Sequence, residues 1–233
     1  MDSATDTDFA ATPRPPPTPL GAALCQLLSA SCGVTQRSLA AGEFLFHQDD
    51  PSQWLFYVVS GHVRLFLLSE DGRERTLRIV GPGELVGDHA FYLRRPQSAF
   101  AQAFDGPVTT YQVSRAGYER LVYRQPELYE TLLRTLARTT EVLIEALEHQ
   151  TFQDLRERVQ AVLLGIAGRH GQAGPDGVTI HMHLTHETIA SIVGATRTRV
   201  SVCLSELQRE GFYRVVDQRI VLSLWAAGLI LPP

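Results

Sequence analysis

The alternation of apolar and polar positions changes character twice along the chain. From about Gln36 to Val113 the apolar residues come in short runs rich in β-branched and aromatic side chains, which predict strands at Glu43–His47, Trp54–Val59, His62–Leu68, Arg75–Val80 and Thr109–Val113. Turn residues separate them at Asp49–Pro51, Ser60–Gly61, Glu70–Gly72 and Gly81–Gly83. Many short strands at near-regular spacing predict a sandwich or barrel. Ahead of them, residues 1–19 are polar and then Pro-rich, which predicts a disordered tail, and an apolar run from Leu20 to Ser31 predicts a short helix.

Helical periodicity follows. The pair Gln125–Pro126 can open a helix that runs to about Gln150, because Pro is tolerated in a first turn. Within it Leu133, Leu136, Thr140, Leu143 and Leu147 recur at spacings of 3, 4, 3 and 4, an a/d seam of about two heptads. Such a seam either joins two parallel copies or packs on the chain's own β domain. Leu132 and Ile144 leave a second apolar face for the β domain, which favours the dimer. A further helix is expected over Asp154–Gly168, then an irregular, exposed loop over Arg169–Gly177.

The stretch LTHETIASIVGATRTRVSVCL, Leu184 to Leu204, carries the chemistry. Thr185 can cap a short helix with Ile189 and Val193 on one face, and Ala190 is small where a second helix crosses. Gly194 falls where a tight turn needs positive φ, and Thr196 can cap a second helix with Val200, Cys203, Leu204 and Leu207 facing inward. A small residue, Gly four positions on and an apolar residue six beyond that is helix-turn-helix spacing. The motif extends over roughly Thr185 to Gly211. Opposite Val200 at 100° per residue lie Thr198, Val202, Ser205 and Arg209, with Arg197 and Arg199 flanking the first turn. The expected DNA-facing set is Thr185, His186, Arg197, Thr198, Arg199, Ser201 and Val202. Arg197 suits guanine O6 and N7, and Val202 suits a thymine methyl. Tyr213–Val216 and Arg219–Leu224, joined across Asp217–Gln218, read as a β-hairpin wing on which Arg214 and Arg219 either contact phosphate or stand as surface charges.

Charge alone does not argue for nucleic acid: the net charge is −4, and residues 152–233 carry 8 Arg against 7 acids. The case rests on where individual arginines lie. All 21 basic residues are Arg. Three scattered cysteines, Cys25, Cys32 and Cys203, fit a reducing cytoplasm better than a disulfide framework. No apolar run reaches the roughly 18–20 residues that span a bilayer, and no secretory signal is visible. His181, His183 and His186 do not complete a metal set, and no metal site is expected. Without a phosphate-cradling loop or a nucleophile with a base, no enzyme is expected.

The order of β-roll, long helix and helix-turn-helix resembles the cyclic-AMP receptor protein / fumarate-nitrate regulator family over about residues 36–225. The most specific parts are Gly83–Asp88 and Ile189–Leu204. The resemblance implies an α+β chain: an N-terminal β-roll/jelly-roll sensing domain at 20–125, a dimerisation helix at 126–151 and a winged helix-turn-helix DNA-binding domain at 152–233. It implies a cytoplasmic homodimer on a palindromic operator of double-stranded DNA, with RNA polymerase as a partner touched through the Arg169–Gly177 loop. Cyclic-nucleotide binders of this family present Gly-Glu and then Arg-Ser/Thr-Ala. Here the matching residues are Gly87–Asp88 and Gln97–Ser98–Ala99, with Arg94 and Arg95 nearby. A neutral Gln97 cannot pair with the cyclic phosphate. Leu143 and Ile144 match positions where such binders place hydroxyl residues against adenine. The effector-pocket candidates are therefore Gly87, Asp88, Arg95, Gln97, Ser98, Leu143 and Ile144, in a site not built for cyclic AMP. Another small effector, or none, is expected, and no cofactor is assigned. The competing reading is a sensor module whose helix-turn-helix serves protein contact.

Overall fold

Two strands of 15 residues each, β3 (Trp54–Leu68) and β6 (Phe100–Ser114), pair antiparallel and form the spine of the N-terminal domain. The computed structural model describes residue 21 and residues 33–228; the expected tail at 1–19, most of the helix over Leu20–Ser31, and Cys25 and Cys32 lie outside the described residues. The runs Trp54–Val59 and His62–Leu68 are one strand, not two. The pairing register shifts around Ser60, and Gly61 adopts φ 78°, where an added Cβ would meet the Pro107 carbonyl. The turn signal marks a bulge that bends a continuous strand and folds the sheet over itself.

Around this spine lie β1 (Val34–Leu39), β2 (Phe44–Phe46), β4 (Glu74–Val80) and β5 (Leu85–Val86), in the order β1-β6-β3-β4, with β2 on β6 and β5 on β3. Val58, Val63, Val80, Val86 and Ala101 fill the interior. A short helix α1 (Asp88–Leu93) starts from Gly87 in a left-handed conformation, and α2 (Arg115–Arg124) is capped by the Ser114 hydroxyl.

The long helix α3 (Leu128–Phe152) divides its loyalties along its length. Leu128 and Leu132 are buried with Phe91, Leu121 and Val122 of the β-roll. Further along, Leu133, Leu143, Ile144 and Leu147 remain 49–66% exposed in the single chain. After an extended Gln153 the chain enters α4 (Leu155–His170) through a full capping box, the Asp154 carboxylate accepting from the Glu157 amide and Glu157 accepting from Asp154.

The expected irregular loop after this helix is in fact regular. Exposed β7 (Gly171–Gly174) pairs with β8 (Gly177–Ile180), whose two ends are buried, and Gly177 at φ 133° supplies the sharp return. Glycines that read as loop residues form a turn and a strand because backbone pairing, not side-chain pattern, holds them. The chain continues through α5 (His186–Val193), α6 (Arg197–Arg209), β9 (Tyr213–Val216) and β10 (Arg219–Leu222), giving a second sheet in the order β7-β8-β10-β9. Asp217 and Gln218 both take positive φ, as a two-residue type I′ hairpin requires.

The core of this C-terminal domain joins Val159, Leu163, Ile166, Ile180, Ile189, Val200, Leu204, Leu207 and Leu222, and it takes in Ile79 from β4 of the other domain. Leu163 is fully buried. Leu163→Ala should lower the unfolding free energy by about 2–5 kcal/mol in urea denaturation followed by circular dichroism. Val216→Ala on the exposed wing should change it by less than about 0.5 kcal/mol.

Candidate nucleic-acid interface

The helix-turn-helix is built by its caps. The Thr185 hydroxyl accepts from the Thr188 amide at 3.0 Å, which sets the start of α5. Gly194 ends it at φ 68°, ψ 48°, donating its amide to the Ala190 carbonyl. A side chain here would be strained and would collide with the Arg75 guanidinium reaching over from β4. Thr196 occupies the N-cap of α6 with extended backbone, but its side chain makes no capping hydrogen bond. The first amides of α6 are thus left without that cap, at the positive end of the helix.

From that start the two faces of α6 separate. Val200, Cys203, Leu204 and Leu207 are buried, as the spacing predicts. Arg197, Thr198, Arg199, Val202, Ser205 and Arg209 are exposed. Arg197 and Arg199 have no carboxylate partner among the described residues. Ser201 differs: it is half-buried, and its hydroxyl lies 2.8 Å from Nδ1 of exposed His186. That pair ties the start of α5 to the middle of α6. The remaining expected contact residues, Thr185 and His186, flank the same end of the motif. On the wing, Arg214 is engaged by Asp176 at 3.2 Å and Arg219 lies 3.1 Å from His181 Nδ1. Arg214 is thus paired in an exposed ion pair, while the contact to His181 leaves the charge of Arg219 uncompensated.

The expected effector residues are only partly brought together. Gly87 and Gln97 meet: a Cβ on Gly87 would lie 3.2 Å from Gln97 Nε2. Gln97 is buried, held by backbone bonds to Asp49 and Asp50. It lines an open cavity of about 310 Å³ with Arg37, Asp50, Trp54, Phe56 and Gln112. Asp88 is buried, and burial raises its carboxyl pKa against the partial offset of Arg78. Arg95 and Ser98 point to the exterior, and Leu143 and Ile144 stand exposed on α3, outside the cavity.

Sequence reasoning missed Arg78. Its guanidinium donates to Thr139 Oγ1 on α3 at 2.8 Å and to Glu84 Oε1 at 3.1 Å, while Glu84 also accepts from the Gly81 amide. Arg78 shares a face of β4 with buried Val80, while the register shift between Arg78 and Thr76 turns Thr76 to the other face, toward Ser191.

Residues 36–125 match the profile of the cyclic nucleotide-binding domain, and residues 157–227 match the Crp-like helix-turn-helix domain. The chain is 33% identical over 180 residues to the cyclic AMP receptor protein of Thermus thermophilus, which covers 77% of this chain and 80% of that one. It belongs to the CRP/FNR family of transcription regulators. Within that family it is 29% identical over 182 residues to the CRP-like cAMP-activated global transcriptional regulator of Mycobacterium tuberculosis, covering 78% of this chain and 81% of the relative. A solved CRP/FNR-family transcriptional regulator, also from Thermus thermophilus, superposes with a TM-score of 0.67 at 27% identity, over 81% of this chain and 93% of its own. The family architecture, a β-roll followed by helices and a helix-turn-helix, is the one described above. No helix among the described residues is long and apolar enough to cross a membrane.

Removing the Thr185 cap should cost about 0.5–2 kcal/mol. Thr185→Ala should therefore unfold at lower urea than the parent, with Thr185→Ser restoring most of the difference.

Proposed function

We propose that this CRP/FNR-family regulator reads a two-fold-symmetric duplex site as a homodimer, and does so without cyclic AMP. The observation that carries the proposal is the first turn of α6. Two arginines without carboxylate partners among the described residues, Arg197 and Arg199, flank Thr198, and exposed Val202 lies one turn on, at the end of a helix suited by its dipole to approach phosphate. Arg197 takes a guanine edge, Val202 a thymine methyl, and Thr198, Arg199 and Thr185 the backbone or neighbouring bases. Ser201, already held by His186, serves as a positioning residue, and its hydroxyl reaches DNA only together with that histidine.

The seam of α3 supports the dimer. Leu133, Leu143 and Leu147 are exposed with Ile144 beside them, while Leu136 is half-buried and Thr140 exposed. A second copy packed in parallel would cover these side chains and set two α6 helices against half-sites about one DNA turn apart. The exposed β7 strand and the turn after it are the surface proposed for RNA polymerase, and the setting is the cytoplasm.

The residues present do not fit cyclic AMP as its binders in this family hold it. Gln97 offers no charge for the phosphate, Arg95 faces outward, and Arg78 is committed to Glu84 and Thr139. Leu143 and Ile144 offer no hydrogen bond to a base. Large aliphatic groups at these positions instead favour a closed seam without nucleotide.

Selection from a random duplex library with the purified protein alone should enrich a two-fold-symmetric site, and adding cyclic AMP should leave the site and affinity unchanged. Enrichment only with the nucleotide would overturn the ligand-free reading. No enrichment in either condition would favour a helix-turn-helix that contacts protein. On the selected site Arg197→Ala should lose about 1–3 kcal/mol, roughly 5- to 150-fold in Kd, and relax preference at one base pair. Leu143→Glu combined with Leu147→Glu should sediment as a monomer with unchanged helix content and bind the full site far more weakly than the parent.

A further inference from the structure

Where the β-roll meets the DNA-binding domain, two histidines face each other across the boundary. His62 lies on β3 just beyond the bulge at Ser60–Gly61, and His170 is the last residue of α4. Their ring centroids are 5.1 Å apart, edge to face at 86°. The fit is close: a Cβ on Gly81 would come within 2.7 Å of His170 Cε1. His170 Nε2 is buried and has no hydrogen-bond partner among the described residues. The same boundary holds two backbone donors. The Thr76 amide donates to Ser191 Oγ at 2.9 Å, and the His183 amide donates to Asp105 Oδ2 at 2.7 Å.

The charges around the pair come from every element that meets there. Asp105 of β6 and Glu84 ahead of β5 attract a proton to His62, yet burial outweighs them and lowers its pKa. For His170, burial is reinforced by His62, by Arg169 of its own helix and by Arg78 of β4. Its pKa falls from 6.5 to about 3 despite a hydrogen bond to the Ile79 backbone. A proton on either ring would place a new cation in a packed contact, where His170 Nε2 has no hydrogen-bond partner among the described residues.

We propose that His62 and His170 form an acid-sensitive latch: the DNA-binding domain stays docked on the β-roll while both rings are neutral and is released as they take up protons. The sign follows from linkage. Each ring binds its proton less readily docked than undocked, so docking is at full strength above the ordinary imidazole pKa and weakens as pH falls below it. For His170, titrating near 6.5 when undocked, the docking equilibrium shifts about tenfold between pH 7.5 and 5.5. The latch rests on domain contacts alone and does not depend on operator reading.

Amide hydrogen exchange tests it on the full chain. The Thr76 and His183 amides exchange only when the domains part, because their acceptors lie across the boundary. Their protection factors, corrected for the intrinsic pH dependence of exchange, should fall at least about tenfold from pH 7.5 to 5.5. Amides of the β3–β6 ladder should keep theirs. His170→Phe should keep the ring's volume while shrinking the fall, and His62→Phe combined with His170→Phe should abolish it. Unchanged protection at Thr76 and His183 in the parent protein would overturn the latch, whatever the variants do. So would an undiminished fall in the double variant.

Discussion

β4 is the last strand of its sheet, and such a strand leaves backbone donors and one row of side chains without partners inside its own domain. Here both needs are met by the DNA-binding domain. The pairing of β4 with β3 shifts register beside Thr76, and the Thr76 amide turns to the hydroxyl of Ser191 on α5. Ser191 in turn bonds the Glu74 carbonyl. Ile79 enters the core of the second domain and Arg75 covers the turn at Gly194. An edge that would otherwise recruit another strand is closed by a helix, and its closure fixes where the helix-turn-helix stands.

The inner face of the same strand carries a different load. Arg78 lies beside buried Val80 with its own side chain only 11% exposed, and a guanidinium in that setting costs several kcal/mol unless it is paired. Glu84 and Thr139 provide the pairing, and the Thr139 bond reaches α3. Glu84 is about one-third exposed, so water weakens its Coulomb attraction to Arg78, and geometry rather than net energy is the main consequence. Arg78 does not line the cavity, which Gln97 shares with Trp54 and Arg37.

The helix-turn-helix was legible because each of its constraints is local. A cap, a positive-φ glycine and a 3.6-residue stripe can be read from Thr185, Gly194 and Val200 without knowing what they touch. The exposed stripe of Leu133, Leu143 and Leu147 on α3 was legible for the same reason. Ser60–Gly61 was misread because turn residues also serve bulges, and only a partner strand distinguishes the two. Gly171–Gly174 was misread because a glycine strand has no side-chain pattern to alternate. Arg78 and the His62–His170 contact were out of reach for another reason. Their meaning depends on residues 61 and 108 positions away, brought near by the bend in β3 and the docking of β4.

These features leave the DNA-binding domain attached to the rest of the chain in two unequal ways. One is covalent: α3 stops at an extended Gln153, and α4 begins under the Asp154–Glu157 capping box, so the break between the helices is confined to one sharply defined point. The other is the non-covalent seat centred on β4, where Arg75, Thr76 and Ile79 meet the DNA-binding domain, with Asp105 and the His62–His170 pair beside them. A rigid domain with one narrow hinge and one seat moves between docked and undocked arrangements rather than through a continuum, since packed contacts are kept or lost together. A proton taken up at the His62–His170 contact reaches α6 by changing the balance between those two arrangements.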